Sequence, residues 1–305
     1  MRQTATTAGT VRTGLIGAGI GPSLSPALHE REAAALGLPL RYLRWDLDEL
    51  SAGPDDVGEL LARARAEGYR GLNITHPCKQ LVIRHLDALS PDAAAIGAVN
   101  TVTIAEDGTL TGHNTDWTGF RDGLHEGLPG AGTGRVVLLG AGGAGAAAGY
   151  ALARDGIGVL DVVDVDAGRA AALAAALTPH LAPGAVARGH ARAGLDDLLD
   201  GPHGRADGLV HATPIGMAAH PGLPVDPALL AGLPWVAEIV YRPLDTALLR
   251  AARAAGCRTV DGGRMAVHQA AEAFRLFTGH VPDPARMLAH LAELVATERA
   301  DDRVA

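Results

Sequence analysis

The chain has little of what would mark a nucleic-acid binder, a membrane protein or a disulfide-stapled domain. Its aromatics amount to three tryptophans, four tyrosines and three phenylalanines in 305 residues, too few to build a base-stacking surface. The formal net charge of −8 offers nothing to a phosphate backbone. No apolar run approaches the roughly eighteen residues that a membrane span requires. Residues 1–10 are small and polar, without the apolar segment of a secretory leader, and are expected to form a loose tail. Two cysteines, Cys78 and Cys257, are too few for a disulfide framework and lack CxxC spacing, so free thiols in a reducing compartment are expected. These absences argue against nucleic acid and membrane as partners, and the expected location is cytoplasmic.

What is present is enough apolar material, 48% of the chain, for two cores. Short β-branched runs alternate with Ala- and Leu-rich stretches of helical length, which predicts an α/β protein of parallel sheets covered by helices. In the first third the pattern predicts strands over 11–16, 40–45, 71–74 and 98–104, with helices over 26–36 and 57–66. A Gly-, Asn- and Thr-rich segment, 108–118, reads as irregular and leads into a helix ending near Leu128. Pro129-Gly-Ala-Gly-Thr-Gly134 reads as a connector. Beyond it the pattern predicts a strand over 135–139, a helix to Arg154 and a strand over 159–163, a βαβ unit. Later strands are expected over 208–212, 235–240 and 258–260, and closing helices over 265–278 and 284–297.

Gly140-Ala-Gly142-Gly143-Ala144-Gly145 follows the first strand of that unit and opens its helix, the context a dinucleotide-binding GxGxxG requires. The first glycine permits the tight turn, the second lets a pyrophosphate approach the backbone, and the third lets helix and strand pack closely. The helix N-terminus adds amides and partial positive charge. The next strand ends in Val163-Asp164-Val165-Asp166, about twenty residues past the last glycine. Asp164 there can accept hydrogen bonds from ribose hydroxyls and would repel a 2′-phosphate. Arg169 comes five residues later, on the next helix. NAD is therefore expected in preference to NADP. Asp166 reads equally well as a helix N-cap.

The first third carries a polar constellation. Ser23-Leu-Ser25-Pro26 precedes a helix, with Ser25 as a natural N-cap and Pro26 at the first helical position, and the same hydroxyls and amides suit a carboxylate. Asn73-Ile-Thr75-His76-Pro77-Cys78-Lys79 lies at a strand end, and Asn100 and Asp116 lie in turn-like sequence. His76 and Cys78 have no second cluster at ligand spacing, so no metal is expected.

These segments resemble, together and in order, the shikimate dehydrogenase family and its quinate/shikimate branch over residues 14–279. They include the stretches 17–29, 73–79, 97–101 and 114–116, the glycine loop, Ala212-Thr-Pro-Ile-Gly-Met217, Val240-Tyr-Arg-Pro243 and 269–279. The resemblance implies a substrate domain over 11–115 and 262–305 and a Rossmann-like, doubly wound NAD domain over 116–261. It implies that Ser23 and Ser25 hold the carboxylate of a cyclic hydroxy acid, and that Asn73, Thr75, Asn100, Tyr241 and Gln269 contact its hydroxyls or carboxylate. Lys79 and Asp116 match the catalytic pair, Lys79 accepting the hydroxyl proton and Asp116 orienting it while nicotinamide exchanges hydride with the ring. On the cofactor side it implies Gly142, Gly143, Ala144, Asp164, Arg169, Thr213, Pro214, Ile239, Gly262 and Met265, beside Gly140 and Gly145 of the loop.

Three departures bear on specificity. Many members place Asn-Arg-Thr where this chain has Asp164-Val-Asp166, so their arginine clamp for a 2′-phosphate is missing. Gly19-Ile-Gly-Pro22-Ser23 resembles the NAD-using branch, whereas Ser25, where that branch's quinate users carry Thr or Gly, leans toward shikimate. His211 stands where Asn is common, with no role evident from sequence. The expected activity is interconversion of shikimate, or quinate, and its dehydro acid. An amino-substituted analogue as substrate, or a nonenzymatic NAD sensor, are the competing readings, and a homodimer is left open.

Overall fold

The computed structural model describes residues 9–201 and 204–301, so most of the expected N-terminal tail lies outside the described residues. The chain divides into two compact units. One comprises the residues up to Thr115 together with those from Ala270, and the other is Asp116–Gln269.

The first unit contains β1 (Val11–Gly17), α1 (Ser25–Ala35), β2 (Leu40–Asp46), α2 (Leu47–Leu50), α3 (Val57–Ala66), β3 (Gly71–Ile74), β4 (Ala88–Leu89), α4 (Pro91–Ile96), β5 (Thr101–Ile104) and β6 (Leu110–His113). Its sheet runs β2-β1-β3-β5-β6-β4 and is mixed, not parallel throughout. The strand pairs β1·β2, β1·β3 and β4·β6 are parallel, and β3·β5 and β5·β6 antiparallel. The cause is local. The chain turns back within 105–109, where Ala105 N–H bonds to Thr109 O at 3.0 Å and Gly108 takes φ +87°, and a connection that short can only join antiparallel strands. The Gly/Asn/Thr-rich segment read as irregular thus contains β6. Its polar outer face hid it, and its inner Gly112 leaves the room that Leu86, Leu89 and Val99 fill, since a Cβ there would come within 2.5 to 2.8 Å of them. The core beneath this sheet includes Ile16, Leu61, Leu72, Val82, Val99 and Val102.

The second unit contains α5 (Asp116–Gly127), β7 (Arg135–Leu139), α6 (Gly143–Arg154), β8 (Val159–Asp164), α7 (Ala167–Leu177), β9 (Val186–Ala191), α8 (Leu195–Asp200), β10 (Gly204–Arg205), β11 (Gly208–His211), β12 (Trp235–Glu238), α9 (Ala247–Ala254), β13 (Arg258–Val260) and the start of α10 (Gly262–Thr278). Its sheet, β13-β12-β11-β7-β8-β9, is parallel at every pairing. The inner strands are apolar runs because both faces are covered, with Val136, Val137, Leu138, Leu160, Val162, Leu209 and Val210 fully buried. Strand order reverses at β7, between β8 on one side and β11 on the other. That crevice, at the carboxyl ends of the strands, is where open α/β sheets bind ligands. The final helix, α11 (Pro284–Asp301), returns to the first unit, where Arg286 pairs with the buried Glu32 of α1 at 2.6 Å. Both cysteines are buried and free. Among the described residues no helix is long and apolar enough to cross a membrane.

Candidate active site

In the first unit the polar residues gather at one end of the sheet. Asn73 near the end of β3 pairs with Thr101 at the start of β5, and Thr101 with His113 at the end of β6. The buried Asp46 carboxylate, at the end of β2, shapes the loop between β1 and α1. It accepts N–H bonds from Gly19 at 3.1 Å, Ile20 at 2.8 Å and Gly21 at 3.1 Å, as well as from Asp48. Gly17 lets that loop lie on the turn after β3, since a Cβ there would sit 2.3 Å from Thr75 Cγ2.

The loop delivers Ser23 and Ser25. Ser23 Oγ accepts the Ser25 N–H at 3.3 Å, and its hydroxyl bonds to Ser25 Oγ at 3.2 Å. Ser25 is not the N-cap that its sequence context predicts. Leu24 already has helical dihedrals, φ −85° and ψ −5°, so the helix starts one residue early and Ser25 is its first residue. Its hydroxyl instead hydrogen-bonds to Tyr42.

Tyr42, on β2, was not among the residues that sequence reasoning singled out. Its hydroxyl donates to Asn73 Oδ1 at 2.8 Å, and Asn73 Nδ2 donates to Thr101 Oγ1 at 3.0 Å and to Asn100 O at 3.3 Å. Asn100 continues the chain, its Oδ1 accepting Thr115 N–H at 2.6 Å and its Nδ2 donating to Thr115 Oγ1 at 2.9 Å. Asn73 and Asn100, separate in sequence, therefore belong to one buried network with Tyr42, and the half-buried Ser25 lies at its edge. Burial raises the Tyr42 pKa, against the opposing hydrogen bond with Ser25, so the phenol keeps its proton and donates. Thr75 and Lys79 lie beyond, on the turn after β3, which is tied down by its backbone: Thr75 N–H bonds to Ile16 O at 2.9 Å, and Lys79 O accepts Val99 N–H at 2.8 Å. His76 is exposed and Cys78 buried.

Behind Tyr42 sits His29, buried among Tyr42, Phe274 and Phe277 with ring centroids at 4.7, 6.0 and 6.1 Å. Among the described residues its Nδ1 has no hydrogen-bond partner, and burial lowers its pKa from 6.5 to about 3. Below pH 6.5 the unfolded chain gains a proton that the native imidazole refuses, so native stability falls as pH falls. Between pH 6.5 and 5 this costs about 2 kcal/mol, at 1.36 kcal/mol per pH unit. His29→Phe removes that term, and urea unfolding at pH 7 and pH 5 should show the variant losing about 2 kcal/mol less than wild type on acidification. Equal losses would place the acid sensitivity elsewhere.

In the second unit the glycine loop joins β7 to α6. Gly140 adopts φ +111° in the tight turn, and a Cβ on Gly145 would lie 1.9 Å from Gly140 O, so α6 packs on β7 only without one. A Cβ on Gly142 or Gly143 would meet nothing within 4 Å, and Gly142 is the N-cap residue of α6, with Ala144 in the first turn. The backbone at the helix N-terminus is therefore uncrowded at both positions.

Asp164 closes the end of β8. Its Oδ2 accepts Ala141 N–H at 2.8 Å, binding the strand to the glycine loop, and its Oδ1 accepts Asp166 N–H at 3.0 Å. The guanidinium of Arg169, five residues on, lies 2.7 Å from the same Oδ1. Asp166 caps α7, accepting from Gly168 and Arg169 N–H, and this brings Arg169 round in the first helical turn. Burial alone would raise the Asp164 pKa, but the Asp166 and Ala141 amides and Arg169 together hold it below the usual carboxylate range.

The remaining predicted residues line the neighbouring strand ends and α10. Thr213 and Pro214 follow β11, and Ile239 and Tyr241 follow β12. Ala212 O and Thr213 Cγ2 stand 2.7 and 3.1 Å from where a Gly140 Cβ would be, and Ile239 O stands 2.2 Å from that of Gly262. Asp116 is the buried first residue of α5. Gly119, one turn on, lets α5 approach α10, since a Cβ there would lie 2.7 Å from Met265 O and from the Gln269 backbone. Gln269 Nε2 donates to Ala266 O at 3.0 Å.

Residues 15–102 match the model of the shikimate dehydrogenase substrate binding domain, and residues 263–291 that of the shikimate 5′-dehydrogenase C-terminal domain. A shikimate dehydrogenase (NADP(+)) of Streptomyces avermitilis is 60% identical over 284 residues, 93% of this chain and 96% of that one. The chain belongs to the shikimate dehydrogenase family. Another member, the quinate/shikimate dehydrogenase (NAD(+)) of Corynebacterium efficiens, is 50% identical over 281 residues, 92% of this chain and 97% of its own. The structure of quinate dehydrogenase from Corynebacterium glutamicum in complex with NAD matches with a TM-score of 0.87 and 46% identity, covering 93% of this chain and 99% of that one. The shikimate dehydrogenase fold accounts for both sheets, a substrate-binding domain and an all-parallel Rossmann-like domain. Its members divide between the two dinucleotides by name.

Proposed function

We propose that this protein is a shikimate dehydrogenase that uses NAD in preference to NADP, with quinate as its secondary substrate. Bound nicotinamide supplies a hydride acceptor or donor for the ring carbon. The protein's own part begins with the substrate: Ser23 and Ser25 hold the carboxylate, and Asn73, Thr75, Asn100, Tyr241 and Gln269 hold the hydroxyls. Lys79 takes the proton from the reacting hydroxyl, and Asp116 orients it. The open cradle over Gly142 and Gly143 and the N-terminus of α6 fit a pyrophosphate. Ser25, which keeps a hydroxyl beside Ser23, supports shikimate as the better substrate.

The observation that carries the NAD reading is Asp164, a buried carboxylate fixed at the end of β8 by two backbone amides. A ribose diol there donates to it, whereas a 2′-phosphate meets like charge. Arg169 is already engaged by that carboxylate at 2.7 Å, so its charge is largely balanced. The names of the relatives leave both cofactors in play, and initial rates decide. Purified protein should reduce NAD with shikimate at a higher kcat/KM than NADP, and with shikimate faster than with quinate. Asp164→Asn should lower the NAD to NADP ratio of kcat/KM about tenfold, the worth of one hydrogen bond to a charged group. A ratio that does not move removes Asp164 from ribose recognition, and absence of turnover on both acids removes the substrate reading.

A further inference from the structure

Beside the glycine loop, the second unit contains a buried carboxylate, imidazole and hydroxyl in series. His211, the last residue of β11, is fully buried, with Nδ1 2.8 Å from Glu238 Oε1 and Nε2 2.5 Å from Thr213 Oγ1. Glu238, the last residue of β12, is buried as well, and its other contacts are donors. Oε1 takes Val240 N–H at 3.0 Å, and Oε2 takes the Thr246 hydroxyl at 3.1 Å. Thr246 Oγ1 in turn caps α9 by accepting Leu249 N–H at 3.2 Å. One His–Glu pair thus ties together the segments that follow β11 and β12, which bear Thr213, Ile239 and Tyr241.

We propose that His211 is a positioning residue that fixes the Thr213 hydroxyl as a hydrogen-bond acceptor for a donor on the nicotinamide half of the dinucleotide. The proposal rests on the dinucleotide reading of the glycine loop. A carboxylate only accepts, so the ring nitrogen facing Glu238 carries the proton, and in the neutral ring that the proposal requires the far nitrogen accepts. This is the way a buried carboxylate selects the tautomer of a histidine that faces a hydroxyl. The Thr213 hydroxyl then spends its proton on His211 Nε2. One of its lone pairs takes Ile215 N–H at 3.3 Å, and the other is left for a ligand donor, an amide NH2 or a ribose hydroxyl. The sheet order determines which half of the ligand meets it. β8, with Asp164, flanks β7 on one side, and β11, with Thr213, on the other. A dinucleotide lying across the switch point with its adenosine over β8 has its nicotinamide end over β11. Thr213 Cγ2 is 3.1 Å from the place of a Gly140 Cβ, so the hydroxyl stands at the edge of the glycine loop itself.

The test separates the two halves of the ligand. Calorimetry would measure the affinity of the wild type, Thr213→Val and Thr213→Ser for ADP and for whichever of NAD and NADP the wild type binds more tightly. Thr213→Val should weaken the dinucleotide about tenfold and leave ADP unchanged, and Thr213→Ser should restore the dinucleotide. Loss of neither, or equal loss of both, overturns the proposal. If the wild type binds neither ligand, the dinucleotide reading of the loop has failed instead. Nitrogen-15 NMR of the histidines supplies a readout that a purely structural role would not produce, with the signal assigned by its shift in Thr213→Val. A protonated Nδ1 and a bare Nε2 are expected for His211, and the reverse tautomer overturns the proposal even if His211→Asn proves unable to fold.

Discussion

Replacing Lys79 with alanine is expected to lower kcat by roughly 10²- to 10⁴-fold while weakening substrate binding only modestly. Lys79 is the single lysine of the chain, the other permanently cationic side chains being arginine. That replacement of lysine by arginine everywhere else sets this position apart, because a guanidinium stays protonated throughout the accessible pH range, whereas an ammonium can give up its proton when its surroundings demand it. A proton relay needs the second property and a charge clamp needs only the first. Lys79→Arg distinguishes them. It should be nearly as slow as Lys79→Ala if the amine exchanges a proton with the substrate hydroxyl, and close to wild type if only positive charge is wanted. The turn itself should survive either change, since its fixed bonds are backbone ones, Lys79 O to Val99 N–H among them. Steady-state kinetics with shikimate at saturating dinucleotide decide, and an arginine variant with wild-type kcat would sink the relay. The single lysine also simplifies the follow-up. Reductive methylation with labelled formaldehyde yields one lysine side-chain signal, whose titration with and without shikimate reports the amine directly.

Much of this architecture is legible in the sequence. The strand over Gly71–Ile74, the helix over Val57–Ala66 and the strand over Arg135–Leu139 come out with the expected bounds, because each is a strongly patterned apolar run with clear breakers at both ends. The glycine loop is legible for the same reason: its spacing encodes backbone geometry, and the positions of Gly140 and Gly145 show it. What escapes is what depends on pairings and partners that the local apolar pattern does not show. β6 is a four-residue strand of Leu, Thr, Gly and His, which only its pairing with β5 defines. β9 is an edge strand with mostly exposed side chains, so it lacks the alternation that marks a half-buried strand. Tyr42 looks like an ordinary strand residue until its bond to Asn73, two strands over, is seen, and the pairing of Arg169 with Asp164 shows only once the cap at Asp166 has turned the chain. His211 is the extreme case. Its identity is visible in the sequence, but its meaning lies in Glu238, which comes twenty-seven residues later and one strand over.

Substitution of the glycine loop should separate folding from binding at two positions three residues apart. Gly145→Ala places a methyl carbon 1.9 Å from Gly140 O, a backbone atom that cannot rotate away. The helix must lift from the strand. Because α6 is buried along Ala147, Ala148, Ala151 and Leu152, lifting it opens the core of the second unit. A cost of about 3 kcal/mol or more is expected, at the severe end for a one-carbon change, because both overpacking and lost helix contacts contribute. Thermal unfolding followed by circular dichroism would register it as a large fall in Tm. Gly142→Ala is the contrast. Beyond its chain neighbours, no atom of the described residues stands within 4 Å of the added carbon, and its φ of −83° is one that alanine adopts freely, so Tm should stay near that of wild type. The methyl instead occupies the space over the first turn of α6 that a pyrophosphate would need, and affinity for the dinucleotide should fall by at least about tenfold. A stable Gly142→Ala protein with wild-type affinity would show that the loop carries no pyrophosphate. A Gly145→Ala protein as stable as wild type would show that the close approach of α6 to β7 is not required. The pairing of a fold-dependent glycine with a ligand-dependent one is what distinguishes a dinucleotide loop from an ordinary strand-to-helix turn, where crowding alone would decide both outcomes.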